Sequence, residues 1–95
     1  MAVKILIKRR VPRESQEYLR NYLTKLRALA TAQPGYISGE TLRNLEDPEE
    51  YLVISTWQSV DNWKSWLENE ERKEIMSKVE PLLKGTTEHS IYLQG

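Results

Sequence analysis

The sequence predicts an α+β fold, in which a four-stranded antiparallel sheet has its helices on one face. The prediction depends on two observations: the chain contains four strand patterns and two helical segments, and they follow the order β-α-β-β-α-β. This order is typical of the ferredoxin-like, or split βαβ, arrangement. The length of 95 residues is that of a single domain, which we assign to residues 1–95.

The first strand is predicted at residues 2–8, because apolar side chains alternate along it on both faces. Those on one face are Val3, Ile5 and Ile7, and those on the other are Ala2 and Leu6. A strand that is apolar on both sides is normally covered on both sides. The basic cluster Lys8-Arg9-Arg10 indicates where the strand reaches solvent, with a phosphate or carboxylate site as the alternative interpretation.

The first helix is predicted to begin at Pro12, whose fixed φ suits a first helical turn. Apolar side chains then recur at helical spacing over three turns, at Leu19, Tyr22, Leu23, Leu26, Leu29 and Ala30. Proline cannot continue a helix and glycine supplies a turn, so the helix is expected to end at Gln33-Pro34-Gly35.

Residues 36–45 and 50–58 are predicted to pair as an antiparallel hairpin, because only a short turn at Asp47-Pro48 separates them. Ser59 is a candidate cap for the helix that follows. The helical pattern is interrupted at 69–71, which predicts two pieces at an angle. Residues 88–94 are predicted to form the fourth strand.

The composition excludes several classes of function. Fourteen basic and fourteen acidic residues give a formal net charge of zero, so we expect no nucleic-acid or anionic-membrane partner. The chain has no cysteine and a single histidine, His89, so we expect no metal site. It has no glycine-rich phosphate loop, so we expect no nucleotide cofactor. Without an apolar run long enough for a signal peptide or a membrane span, a cytoplasmic location is the expectation.

The sheet predicts self-association. Strands one and three are apolar on both sides, so the face away from the helices would be bare in a monomer. An exposed apolar face of this size is normally covered. We therefore expect a homodimer in which two identical sheets pack face to face about a two-fold axis.

Three tryptophans, Trp57, Trp63 and Trp66, form the most informative group for function. The first ends a strand, and the other two lie three residues apart on one face of the next helix. One interpretation is that all three are core residues. The other is that they line an apolar pocket for an aromatic ligand, and the two are compatible in so small a domain.

Two further residues are candidates for proton chemistry. Tyr36 has a hydroxyl that can donate to a phenolate or quinone oxygen, although a half-buried aromatic residue with a hydrated hydroxyl is the structural alternative. His89 is the one side chain here that titrates near neutral pH, although an exposed surface position is the alternative for it.

The chain resembles the antibiotic biosynthesis monooxygenase family. The similarity is in Pro34-Gly35-Tyr36, in Trp57-Gln58-Ser59 and in the Trp63-x-x-Trp66 spacing, together with the order of elements. It implies a dimeric α+β barrel with a pocket between helices and sheet in each subunit. It also implies an oxygenase without metal, flavin or other cofactor, in which an anionic phenol, quinol or polyketide-like substrate reacts directly with dioxygen.

The resemblance assigns site residues unevenly. Trp57 matches a pocket tryptophan of the polyketide-oxidising branch, but Trp63 and Val53 stand where that branch has a tyrosine and an asparagine. Lys8 approximately matches a first-strand asparagine of the haem-degrading branch, and Trp66 its helical tryptophan. Met76 stands where that branch has its haem-ligating histidine, so haem degradation is disfavoured.

These observations lead to two hypotheses. In the first, the protein is a cofactor-independent monooxygenase or oxidase of a small aromatic substrate, with the three tryptophans as substrate-binding walls. Its catalytic candidates are then Lys8, to stabilise a phenolate, and Tyr36 or His89, to transfer a proton. In the second, it is a non-catalytic, small-ligand-binding or stress-associated dimer on the same fold.

Overall fold

The computed structural model describes residues 1–94 and contains one antiparallel sheet and three α-helices. The bounds of the elements are β1 Val3–Arg10, α1 Gln16–Thr31, β2 Tyr36–Arg43, β3 Glu50–Trp57, α2 Val60–Leu67, α3 Glu70–Val79 and β4 Glu88–Leu93. The strand order in the sheet is β2-β3-β1-β4, which confirms the predicted ferredoxin-like topology.

Several element ends differ from the sequence prediction, and two of the differences concern the start of the chain, where the basic cluster lies. Strand β1 continues two residues beyond the predicted end, because Arg9 pairs with Tyr51 and Arg10 with Glu50 across the ladder with β3. Pro12 does not begin α1: its ψ of 142° is extended, and a short 3-10 turn precedes the helix. The basic cluster therefore belongs to the paired part of β1 and does not follow the end of the strand.

The register of the sheet separates two faces. Residues paired across an antiparallel ladder project to the same side. Ile5 pairs with Ser55 and Ile7 with Val53, and both isoleucines are buried beneath the helices. Leu6 pairs with Ile54 and projects to the opposite side, which no helix covers. We call the first side the helix face and the second the open face.

The interruption between α2 and α3 is confirmed, and two polar side chains explain it. The Oγ atom of Ser59 accepts a hydrogen bond from the backbone N–H of Asn62 and caps α2 (3.2 Å). The Oδ1 atom of Asn69 accepts one from the backbone N–H of Arg72 and caps α3 (2.9 Å). Each cap satisfies an N–H that has no partner within its own helix, so the helical run restarts in a new direction.

The hydrophobic core lies between the helices and the helix face. Its buried residues are Val3, Ile5, Ile7, Val11, Leu19, Leu26, Trp57, Trp63, Trp66, Met76 and Val79. Within residues 1–94, no helix has both the length and the apolar composition that crossing a bilayer requires.

Candidate functional site

A cavity of about 280 Å³ lies between α1 and the helix face of the sheet. Its sheet side includes Val53, Ser55 and Trp57 from β3, and its helix side includes Leu23 and Leu26 from α1. This volume is near the lower end of the range for small-molecule sites, about 300–1,000 Å³. The cavity therefore has room for a small aromatic ligand.

The three tryptophans are core residues that also line this cavity. Trp57 is 1% exposed, and its ring centroid is 6.0 Å from that of Trp63 and 6.4 Å from that of Trp66. The indole N–H of Trp57 donates to the Oγ atom of Ser55 at 3.1 Å, which satisfies a buried donor and fixes the ring. The two interpretations of the tryptophan group are thus compatible in this structure.

Tyr36 lines the same cavity, and its position depends on two nearby glycines, Gly35 and Gly39. Its ring meets that of Trp57 edge-on, with centroids 5.3 Å apart. Gly35 has a φ of +84° and lies against the side chain of Asn62, so a larger residue would be both strained and crowded there. A β carbon on Gly39 would collide with the tyrosine hydroxyl. Tyr36 therefore has a defined position at the cavity wall.

His89 lies on the helix face but not among the residues that line the cavity. It pairs with Ile7 in the β1–β4 ladder, and its ring centroid is 6.1 Å from that of Trp63. His89 is exposed, as the alternative interpretation expected, but desolvation by the protein around it lowers its pKa, and the positive charges of Arg72 and Arg9 lower the pKa further, against a smaller opposing effect of Glu80. The imidazole is therefore held in its neutral form.

Lys8 projects from the open face, where it pairs with Leu52. Because side chains alternate along a strand, its neighbours Ile7 and Arg9 face the cavity and Lys8 faces away. The structure thus brings Tyr36 to the three tryptophans, places His89 beside Trp63, and leaves Lys8 on the other side of the sheet.

Two arginines also line the cavity: Arg9, from the basic cluster whose alternative interpretation was a phosphate or carboxylate site, and Arg72, which the sequence did not indicate. Arg9 is 6% exposed and Arg72 is 9% exposed. Burial and the nearby charge of Arg72 lower the pKa of Arg9 to about 10, against a smaller opposing effect of Glu80. Burial also lowers the pKa of Arg72, whose guanidinium carbon lies 5.7 Å from the centre of the Trp66 ring.

The sequence did contain an indication of where Arg9 lies. Arg9 continues the alternation of Val3, Ile5 and Ile7, so a predicted strand extended by two residues, to Arg10, would have placed Arg9 on the buried face. For Arg72 the sequence has no comparable signal, because a basic residue in the first turns of a helix is usually exposed. The part of the chain that the structure describes has no group of three side chains placed to hold a metal ion.

Comparison with known sequences identifies a family. Residues 2–78 match the model of the family described as antibiotic biosynthesis monooxygenase. Over 55 residues the chain is 36% identical to "Protein SchA" of Streptomyces halstedii, an alignment that covers 58% of this chain and 14% of that protein. The chain therefore spans about one seventh of the length of this relative.

Comparison with solved structures supports the fold. A conserved protein from Methanosarcina mazei Go1 superposes with a TM-score of 0.93 at 22% identity, covering 100% of this chain and 94% of that one. SnoaB, a cofactor-independent oxygenase from Streptomyces nogalater, superposes with a TM-score of 0.87 at 18% identity, covering 99% and 93% of the two chains. At these identities the similarity shows a shared fold.

Proposed function

Because the chain belongs to the antibiotic biosynthesis monooxygenase family, we propose that it is a cofactor-independent monooxygenase or oxidase of a small aromatic substrate. The substrate class is a phenol, a quinol or a polyketide-like compound. The observation that supports this proposal is the cavity of about 280 Å³, which has three tryptophan rings and two tyrosine rings, those of Tyr36 and Tyr51, in its walls. Aromatic walls favour a flat aromatic ligand and hold it in a defined orientation.

The proposed reaction needs no external reductant. Loss of a proton from an anthrone, phenol or naphthol gives an enolate or phenolate, whose ring carbon opposite the oxygen reacts with dioxygen. One oxygen atom stays on that carbon as a new carbonyl, and the other leaves as water, so the substrate supplies the electrons and the hydrogens. A quinol instead transfers two electrons and two protons to dioxygen, which gives the quinone and hydrogen peroxide. In this mechanism the Tyr36 hydroxyl donates a hydrogen bond to the substrate oxygen as negative charge develops on it. His89 is the candidate for proton transfer at the Trp63 side, where its ring is neutral.

Oxygen uptake by the purified protein tests this proposal. The panel is anthrones, hydroquinones and naphthols, without added metal or flavin. Tyr36→Phe removes only the hydroxyl, and loss of one hydrogen-bond donor to an oxyanion typically reduces kcat by roughly 10²–10³. The matched control is Tyr18→Phe, because Tyr18 is 60% exposed on α1 and lies outside the cavity. No uptake with any member of the panel, or equal rates in the two variants, would contradict the proposal.

A non-catalytic ligand-binding protein is the alternative, and one observation favours it. Val53 and Trp63, which stand where the polyketide-oxidising branch has polar residues, both line the cavity. The cavity therefore lacks two polar groups that the resemblance associates with that reaction. Binding of an aromatic compound without oxygen uptake would favour this alternative.

We also propose that the open face is a homodimer interface. Its apolar residues come from all four strands and include Leu6, Leu42, Leu52, Ile54 and Tyr92. Leu42 is 44% exposed and Tyr92 is 55% exposed in the single chain, and an apolar surface of this kind is normally covered. Light scattering should give a mass about twice the 11.2 kDa of the chain, and a mass of one chain in dilute solution would contradict the proposal.

A further inference from the structure

The cavity is strongly cationic although the whole chain has no net charge. Its lining includes five arginines, namely Arg9, Arg20, Arg27, Arg43 and Arg72. The one acidic residue among the lining residues is Glu40, which pairs with Ile54 and so directs its side chain to the open face. The positive charge is therefore a local property of the cavity, and it would attract an anionic ligand.

Arg9 and Arg72 are the two members of this group that are more than nine-tenths buried. Within residues 1–94, neither guanidinium has a carboxylate within ion-pair distance, and the Nε atom of each is buried without a hydrogen-bond partner. Buried charges are normally paired, because desolvation without a partner is costly. Two buried, unpaired guanidinium groups that line one cavity, and whose charges act on one another, are therefore a candidate binding site for an anion.

The acidic residue whose charge acts on both arginines is Glu80. Its negative charge raises the pKa of each, but this effect is smaller than the lowering by burial. Glu80 is exposed, at the start of the 3-10 turn that follows α3. It therefore compensates the two charges only partly, from outside the cavity.

We propose that Arg9 and Arg72 together bind the carboxylate of an aromatic acid whose ring lies against the tryptophan walls. A carboxylate has two oxygens in a plane, which suit the planar donor groups of guanidinium side chains. It is also ionised at neutral pH without a general base. Arg72 lies over the Trp66 ring, which joins the anion site to the aromatic wall. The inference depends on the cavity being the binding site of the proposed function, but on no reaction with dioxygen.

Equilibrium binding of two matched probes tests the inference. The probes are 2-naphthoate and 2-naphthamide, which have the same ring system but differ in charge, and the readout is quenching of tryptophan fluorescence under anaerobic conditions. We expect the wild-type protein to bind 2-naphthoate roughly tenfold or more tightly than the amide, as charge-assisted hydrogen bonds in a buried site would provide. Arg9→Met and Arg72→Met should each remove this preference.

Two further variants separate binding from folding and from net charge. Arg72→Lys keeps the charge but loses the planar donor group, so it should retain part of the preference. Arg10→Met makes the same charge change one residue away from Arg9, but Arg10 projects from the open face and pairs with Asp47, so the preference should be unchanged. Thermal unfolding of each variant verifies that it is folded.

Several results would overturn the inference, three of them from the probe titrations alone. They are equal binding of both probes by the wild-type protein, no binding of 2-naphthoate at millimolar concentration, and a preference that persists in both methionine variants. Displacement of 2-naphthoate by inorganic phosphate at the same concentration would also overturn it, since the site would then recognise a simple anion.

Arginine-dependent binding of 2-naphthoate without oxygen uptake from any substrate would uphold the inference while contradicting the proposed function. Oxygen uptake with an aromatic acid that both Arg9→Met and Arg72→Met leave unchanged would do the reverse.

Discussion

The two faces of the sheet are made by the same strands but have opposite surroundings, and the neighbours Arg9 and Arg10 show this most directly. Arg9 is buried on the helix face without a carboxylate partner among residues 1–94, and its pKa is lowered to about 10. Arg10 is on the open face, where a hydrogen bond and the charge of Asp47 raise its pKa. Two neighbouring arginines of one strand therefore differ: Arg10 forms a surface ion pair, whereas Arg9 is a buried charge without such a partner. The helix face therefore contains a buried positive charge without a carboxylate partner among residues 1–94, whereas the charge of Arg10 on the open face is paired with Asp47.

The largest expected effect comes from placing a carboxylate on each face. Ile5→Asp buries an unpaired charge at a position that is 0% exposed. The substitution should lower the unfolding free energy by about 3–5 kcal/mol, which is a large part of a typical value of about 5–15 kcal/mol. Ile54→Asp, on the open face, should leave the fold intact but abolish self-association. Circular dichroism and light scattering distinguish the two outcomes. An Ile5→Asp protein that unfolds cooperatively at the wild-type temperature would contradict the assignment of the helix face.

A second comparison uses hydroxyls on adjacent residues of β3. Ser55→Ala leaves the buried N–H of Trp57 without its acceptor, so we expect a loss of about 1–3 kcal/mol of unfolding free energy. Thr56 is itself buried, but Thr56→Val removes only the acceptor of the exposed Lys4 ammonium, which water can solvate instead, so the loss should be below about 1 kcal/mol. Urea denaturation measures both. Equal losses would show that the Trp57 hydrogen bond does not stabilise the site.

A third comparison is the stability of Arg9→Met and Arg10→Met without any ligand. Replacing a buried, unpaired charge by an apolar side chain of similar length should be stabilising, and a gain of about 1 kcal/mol would raise the Tm by roughly 4–8 °C in a domain of this size. Arg10→Met should lower the Tm slightly, because Asp47 loses its partner. Differential scanning calorimetry measures both. If Arg9→Met is the less stable of the two, Arg9 has a stabilising partner in the folded protein.

The smallest expected effect is the pH dependence that comes from His89. Its folded-state pKa lies below the usual value of 6.5, so below that pH the unfolded state binds more protons than the folded state. The unfolding free energy should therefore decrease as the pH falls from about 6.5 to 5, above the range in which carboxylates titrate. His89→Gln should remove this slope. A wild-type slope that His89→Gln leaves unchanged would assign the effect to another group.

The sequence by itself determined the fold and most of the aromatic site. The periodicities predicted the topology that the structure confirms, because alternating and helical apolar patterns are local properties of the chain. The motif around Trp57, Trp63 and Trp66 also identified the residues that line the cavity. The turn glycines were visible as well, since Gly35 follows Pro34 at the start of β2.

The tertiary structure decided which charged residues enter the cavity. The three consecutive basic residues Lys8, Arg9 and Arg10 cannot be distinguished by their charge. Which side of the sheet each one faces depends on where β1 ends and on how it pairs with β3. The proximity of Arg72 to Arg9 depends on how α3 packs against α1 and α2, which no local pattern encodes. Burial is a property of the packed chain, so the pair of arginines became visible only when the strand register and the helix placement were known together.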